Sequence, residues 1–176
     1  FTIRNLELLH SSNAGAKTLI DVIDKTSSPM GSRLMRRWLS LPLKNKEQIN
    51  ARYDIVDYFV NNNDLIYKFQ DAIRQVGDLE RLISKVSLLR VNPRELLQLA
   101  RALDQIEIIK NLCADSNDDS IKLYAEQLNV CDSIRQKIKR VLNLDSPALI
   151  SKGNFINDGV DEELDDLRAL SRSGKE

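Results

Sequence analysis

The chain has 176 residues, enough for one domain with a real core and too few to call for several. Hydrophobic residues make up 42% and charged residues 30%, with 26 basic side chains against 26 acidic ones, the balance of a soluble globular protein rather than of an autonomous nucleic-acid binder. No run of about eighteen apolar residues and no secretory leader pattern occurs, so neither a membrane span nor secretion is expected.

The periodicity is helical almost throughout. Residues 18–24 predict a short amphipathic turn with Leu19, Val22 and Ile23 inward. Residues 28–41 predict a helix with punctuation at both ends. Ser28 can accept from the free backbone N–H groups of the first turn, and Pro29 sits where its missing donor costs nothing. Pro42 stops the helix by pushing its predecessor out of the α region. Met30, Leu34, Trp38 and Leu41 form one stripe, which we expect to be buried; Arg33 and Arg37 lie one turn apart, with Arg36 beside them.

Asn45 with Gln48 has capping-box spacing and opens a helix carrying Ile49, Tyr53, Val56 and Val60 inward. Asn61-Asn62-Asn63 is the turn that follows, with Asn63 expected to cap the next helix. That helix shows Leu65, Ile66, Phe69, Ile73 and Val76, and Gly77 is its stop. Asp78 restarts helical structure with Leu79, Leu82, Ile83 and Val86 on one side. Asn92-Pro93-Arg94-Glu95 is a second capping box, and it opens the longest helix, whose stripe is Leu96, Leu99 or Ala100, Leu103, Ile106 and Ile109. A polar loop at residues 115–119 precedes two helices at about 120–129 and 133–142. Beyond them, Leu149-Ile150 and Phe155-Ile156 flank Lys152-Gly153-Asn154, which suggests a small β-hairpin within residues 148–157. Asp158-Gly159 is a turn, and a last helix begins near Asp161. The expected fold is therefore all-α, an irregular multi-helix bundle with a minor β element.

Candidate sites are few. His10 is the only histidine and has no nucleophile or orienting group near it in sequence, so it reads as a surface residue rather than a catalytic base. Cys113 and Cys131 lack Cys-x-x-Cys spacing and read as two reduced thiols. The acidic run Asp161, Glu162, Glu163, Asp165 and Asp166 could hold Mg²⁺, but it suits the positive end of a helix better. Gly77-Asp78-Leu79-Glu80-Arg81 reads as a helix junction. No catalytic, cofactor-binding or metal-ligating residue is expected. Arg33, Arg36 and Arg37 form the one basic cluster beside an aromatic, Trp38. Two readings stand for them: packing within or between domains, and contact with phosphate. Charge is mildly polarised, with 17 basic against 13 acidic side chains in residues 1–110 and 9 against 13 in residues 111–176.

Four phrases together carry a family resemblance. Ser28-Pro29-Met30-Gly31-Ser32-Arg33, followed by Arg36-Arg37-Trp38-Leu39 and the Pro42-Leu43 exit, resembles the opening of the core domain of MutS, the ATP-driven DNA mismatch-recognition family. Arg4-Asn5-Leu6-Glu7-Leu8 resembles the phrase that begins that domain, and Gly77-Asp78-Leu79-Glu80-Arg81-Leu82 resembles its Gly-Asp-Leu-Glu-Arg. Asp161-Glu162-Glu163-Leu164-Asp165 with Arg168 is similar to the start of the helix that leaves the core for the DNA clamp. The order is that of the family, and the bacterial repair branch fits best.

The resemblance implies residues 1–160 as helical core and 161–176 as the start of a lever helix. It implies a mechanical role, linking clamp and connector to the ATPase. ATP and Mg²⁺ would serve the full-length protein and not this piece. Mismatched double-stranded DNA, a second MutS subunit and MutL would be the partners, in the bacterial cytoplasm at the nucleoid. The piece itself could self-associate through apolar helix faces left uncovered. The family's Phe-x-Glu mismatch-reading motif is not found ahead of Phe1. No Gly-x-x-x-x-Gly-Lys-Ser/Thr phosphate loop occurs either, since glycines 15, 31, 77, 153, 159 and 174 stand singly. The chain thus reads as an excised piece, ending at Lys175-Glu176 inside a helix. The alternative from another class is a free-standing helical interaction module, unrelated to repair.

Overall fold

A computed structural model describes residues 2–173, so the expected run of the last helix through Lys175-Glu176 lies outside the described residues. In chain order the helices are α1 (Thr2–Asn5), α2 (Leu19–Ile23), α3 (Pro29–Ser40), α4 (Lys46–Asn61) and α5 (Asn63–Val76). They continue with α6 (Leu79–Ser87), α7 (Pro93–Ala114), α8 (Asp119–Gln127), α9 (Asp132–Val141) and α10 (Glu162–Ser173), with one 3₁₀ turn at Ile150–Lys152. The fold is all-α, as the periodicity predicts.

Side-chain oxygens start half of these helices. Ser28 Oγ accepts from Gly31 N at 3.1 Å, with Pro29 as first helical residue of α3. Asn45 Oδ1 accepts from Gln48 N at 2.9 Å. The box before α7 is reciprocal: Asn92 Oδ1 accepts from Glu95 N at 2.9 Å, and Glu95 Oε2 accepts from Asn92 N at 3.1 Å. Asp118 takes Ser120 N and Ile121 N, and Asp161 takes Leu164 N. The expected cap at Asn63 is corrected: Asn63 is already helical, and only Asn62 separates α4 from α5. Asn62 Nδ2 instead donates to Tyr58 O at 2.7 Å and closes the end of α4.

The chain divides into two compact units, one of residues 2–80 with Gln105–Asn129, the other of Arg81–Asp104 with 130–173. The first is built on Phe69, Cys113, Ile121 and Ala125, against which Ile55, Tyr58, Phe59, Ile73 and Ile109 pack. Phe59 meets Phe69 edge to face at 5.1 Å between ring centroids, and Tyr58 meets Phe59 likewise at 5.3 Å. Two helix faces differ from expectation here. On α4 the core side is Ile55, Tyr58 and Phe59, while Tyr53, Val56 and Val60 are exposed. The helix carries two apolar stripes, and aromatic area decides which one is buried. On α2 the buried residue is Ile20, while Leu19, Val22 and Ile23 are exposed; five residues are too few for periodicity to choose a face.

The second unit buries Leu82, Leu97, Ala100, Ala102, Leu103 and Leu142. The buried members of α7 here include two of the predicted stripe, Ala100 and Leu103, while Ile83 of α6 is half exposed. Asp104 accepts from Lys139 Nζ at 2.6 Å and lies 3.4 Å from Arg135 Nη1, which ties α7 to α9. The expected hairpin within residues 148–157 is replaced by a different pairing. Lys152 N and Gly153 N donate back to Leu149 O and Ile150 O, so this segment coils into a 3₁₀ turn. Ile156 instead forms an isolated antiparallel bridge with Leu142, flanked by Asn143 N to Phe155 O at 3.0 Å and Asn157 N to Val141 O at 2.9 Å. The exit of α9, with carbonyls no helix can use, outcompetes the local hairpin.

Glu95 gives the second unit a testable pH dependence. Lys85, and then the Asn92 backbone N–H, hold its carboxyl below the usual carboxylate range. A depressed folded-state value means stability that is present above the unfolded value and lost as pH falls through the folded one. Glu95→Gln should therefore lower the urea midpoint at neutral pH, and the gap to the parent chain should close in acid. A gap that stays constant across the acid range would refute the charged role.

Candidate functional site: the arginine helix and the apolar groove

The basic cluster, residues Gly77 to Glu80 of the Gly-Asp-Leu-Glu-Arg phrase and an apolar groove all fall in the first unit. Around α3 the approach segment packs closely. A Cβ on Gly31 would stand 3.1 Å from Thr26 Cβ and 3.3 Å from Ser28 Oγ, so a side chain here would push those neighbours aside by a few tenths of an ångström. Asp24 fastens that segment: its carboxylate accepts from Thr26 N and Oγ1 and from Ser32 Oγ. Those hydrogen bonds, Ser32 first, hold the Asp24 carboxyl below its ordinary range, and Thr18 does the same for Asp21; Arg36 adds a favourable charge to both.

Arg33 reaches across the chain. Its Nη2 lies 2.7 Å from Asp78 Oδ1 and 2.6 Å from Glu80 Oε2, with Nη1 and Nε making second contacts to the same two carboxylates. A planar guanidinium forked between two carboxylates is the geometry arginine suits and lysine does not. These two hydrogen-bonded carboxylates raise its already high pKa further. Gly77, at φ +67°, ends α5 and turns the chain so that Asp78 and Glu80 face α3. The phrase is thus a helix junction, and sequence alone does not supply its partner, Arg33. Arg36 and Arg37 stay on α3 without entering this fork.

Trp38 was expected on a buried stripe, and that is corrected. It is 39% exposed, beside Leu34 and Leu41 at 46% and 68%. The Arg52 guanidinium carbon sits 3.6 Å from the Trp38 ring centroid, so the indole face is covered by a cation from α4 and not by aliphatic core. Met30, Met35 and Leu39 are the more buried apolar residues of α3.

Below lies a groove of about 690 Å³ between α4, α5, the C-terminal part of α7 and α8. Its walls include Ile55, Phe59, Phe69, Ile73, Cys113 and Ile121, so the groove opens directly on the core of the unit. Burial pushes the Cys113 thiol up, away from reactive thiolate character. Lys110 Nζ donates to Leu128 O at 2.9 Å and fixes the end of α8; Ser116 Oγ donates to Tyr58 Oη at 3.0 Å near the α7–α8 turn.

Among the described residues no group of three His, Cys, Asp or Glu is placed to hold a metal ion. Gly15, Gly77, Gly153 and Gly159 have positive φ but stand singly, so they form no phosphate cradle. Both cysteines are free thiols. No helix of the described residues is long and apolar enough to cross a membrane.

Comparison with known proteins decides what this arrangement belongs to. Residues 1–173 match the family model of MutS domain III. The chain belongs to the MutS family. It is 53% identical over 176 residues to the DNA mismatch repair protein MutS of Flavobacterium johnsoniae, covering 100% of this chain and 20% of that protein. It is 49% identical to the MutS of Bacteroides fragilis and 43% to that of Cytophaga hutchinsonii, again along its whole length. The chain spans about a fifth of the length of the curated relatives it matches. A free-standing interaction module finds no support in these matches.

Trp38 offers a direct measurement. Trp38→Ala should cost on the order of 1–2 kcal/mol, the scale of a cation–π pair with partial burial, and not the roughly 3–5 kcal/mol of a fully buried aromatic. Urea denaturation gives the difference, and acrylamide should quench the indole part-way between buried and free. A fully shielded tryptophan would contradict the Arg52 stacking.

Proposed function

We propose that this chain is the first half of the core and lever region of a MutS mismatch-recognition ATPase, a mechanical element with no catalysis of its own. What carries the proposal is the match to MutS domain III along residues 1–173, joined to a site whose charges are engaged in structure. In the whole protein the region links the DNA clamp and the connector to the ATPase, and residues 161–173 begin the lever. ATP and Mg²⁺ act in the ATPase part; the residues of this chain do not fit them. Mismatched double-stranded DNA, a second MutS subunit and MutL are the whole protein's partners, and its place is the bacterial cytoplasm at the nucleoid. Arg36 and Arg37 face a neighbouring domain or a phosphate, whereas Arg33 holds the domain itself together.

The open groove fits a core that is completed by another stretch of the same polypeptide, returning after the clamp. A groove that reaches core residues such as Phe69 and Cys113 is a place for apolar side chains. Without that stretch, the isolated chain meets its own exposed faces. Sedimentation at increasing concentration should therefore show self-association, and a strictly monomeric chain that binds no apolar dye would overturn this part of the proposal.

DNA supplies the second test. With no net charge, the chain releases few counterions on a duplex. Titrating the isolated chain with matched and mismatched duplexes near physiological salt should give weak binding without preference. A clear preference for the mismatch would place mismatch reading in this chain and sink the mechanical assignment.

A further inference from the structure

Helix α10 is attached in an unusual way: none of its residues is buried, yet its root is held by a closed set of polar contacts. Leu167 and Leu170 are 57% and 68% exposed and Leu164 is half-buried, so apolar packing gives the helix a single small foothold. Arg168 does the holding. Its Nη2 donates to Ile156 O at 2.8 Å, and its Nη1 donates to Asp158 Oδ1 at 2.7 Å and Asp165 Oδ1 at 3.2 Å. The other oxygen of Asp165 accepts from Gly159 N at 2.6 Å, which locks the turn before the helix to its first turn.

The far end of this set is equally fixed. Asn157 N donates to Val141 O, and Asn157 Nδ2 donates to Arg140 O at 2.9 Å and Leu142 O at 3.1 Å. These are carbonyls at the end of α9, which have no helical partner of their own. One unbroken series of contacts therefore runs from the end of α9, through Asn157 and Ile156, to the Arg168 fork and into α10. All of it lies within the second unit.

We propose that Arg168 is a positioning residue, an ionic clasp that sets the direction in which α10 leaves α9. The side chain is only 19% exposed, and it bonds two carboxylates and a carbonyl at once. Lysine can replace its charge but not its fork. The clasp itself stands on geometry alone; its meaning for force transmission rests on α10 being the start of the lever, as proposed above.

The test uses the full-length protein, with unnatural-amino-acid spin labels at the exposed positions Gln136 on α9 and Ser171 on α10. The parent protein should give a narrow distance distribution. In Arg168→Lys and in Asp158→Asn the distribution should roughly double in width, because the fork that gave geometric specificity is incomplete. Far-UV circular dichroism should stay unchanged, which separates lost direction from lost helix. A distribution as narrow as the parent's in both variants would overturn the clasp. A broadened distribution with unaltered mismatch-stimulated ATP turnover would leave the clasp standing and instead defeat the lever assignment.

Discussion

Backbone donors at helix starts are the constraint this structure is organised around. An all-α chain has no sheet to absorb orphan N–H groups, and each helix leaves several at its beginning. Here Ser28, Asn45, Asn92, Asp118 and Asp161 each accept one or two of them. A cap fixes where a helix begins, and the 3.6-residue period then fixes which side chains share a face. In α7, which the Asn92–Glu95 box opens, Leu97, Ala100 and Leu103 share the buried side. Glu95 also pairs with Lys85 of α6, so one carboxylate serves both the cap and the packing of two helices.

Caps are local, and local chemistry is legible in sequence. Ser28-Pro29, Asn92-Pro93 and the Pro42 stop needed only three or four residues to recognise, and the structure has each in place. Faces are harder. Helix α4 offers Ile49, Tyr53, Val56 and Val60 on one side and Ile55, Tyr58 and Phe59 on another, and periodicity alone ranks them equally. The choice is made by Phe69 on the next helix and by Cys113, which arrives from a distant segment. For the same reason the Arg33 fork was out of reach: Asp78 and Glu80 are 45 and 47 positions away. Sequence singled out both phrases as family signatures, but their contact to each other is a tertiary fact.

The failed hairpin at residues 148–157 is instructive in another way. Apolar pairs flanking Gly153-Asn154 have the right chemistry for a turn, and a turn forms, with Gly153 at φ +63° and Asn154 at φ +57°. What the segment lacks is a reason to pair with itself when the carbonyls of α9 stand unpaired beside it. Asn157 answers them with both its backbone and its side chain. Competition for backbone partners, rather than turn propensity, decides the outcome.

Helical stripes that end up exposed carry their own information. Leu34 and Trp38 on α3 with Leu41 just beyond it, Tyr53, Val56 and Val60 on α4, and Leu167 and Leu170 on α10 are spaced as burial faces, yet they are exposed, the Trp38 ring having Arg52 over one face. Random exposed leucines need no explanation, but three coherent stripes and a groove open to the core do. The curated relatives, of whose length this chain spans about a fifth, have ample further chain that could cover such stripes. On the proposed function, such stripes would be covered by other segments of the whole polypeptide, so part of what periodicity marks for burial lies open in this chain. The polar contacts behave in the opposite manner: Arg33, Arg52 and Arg168 all find their partners within the chain. Ionic and stacked contacts thus settle the local geometry within this chain, and on the proposed function its exposed apolar stripes are the surfaces that other segments would meet.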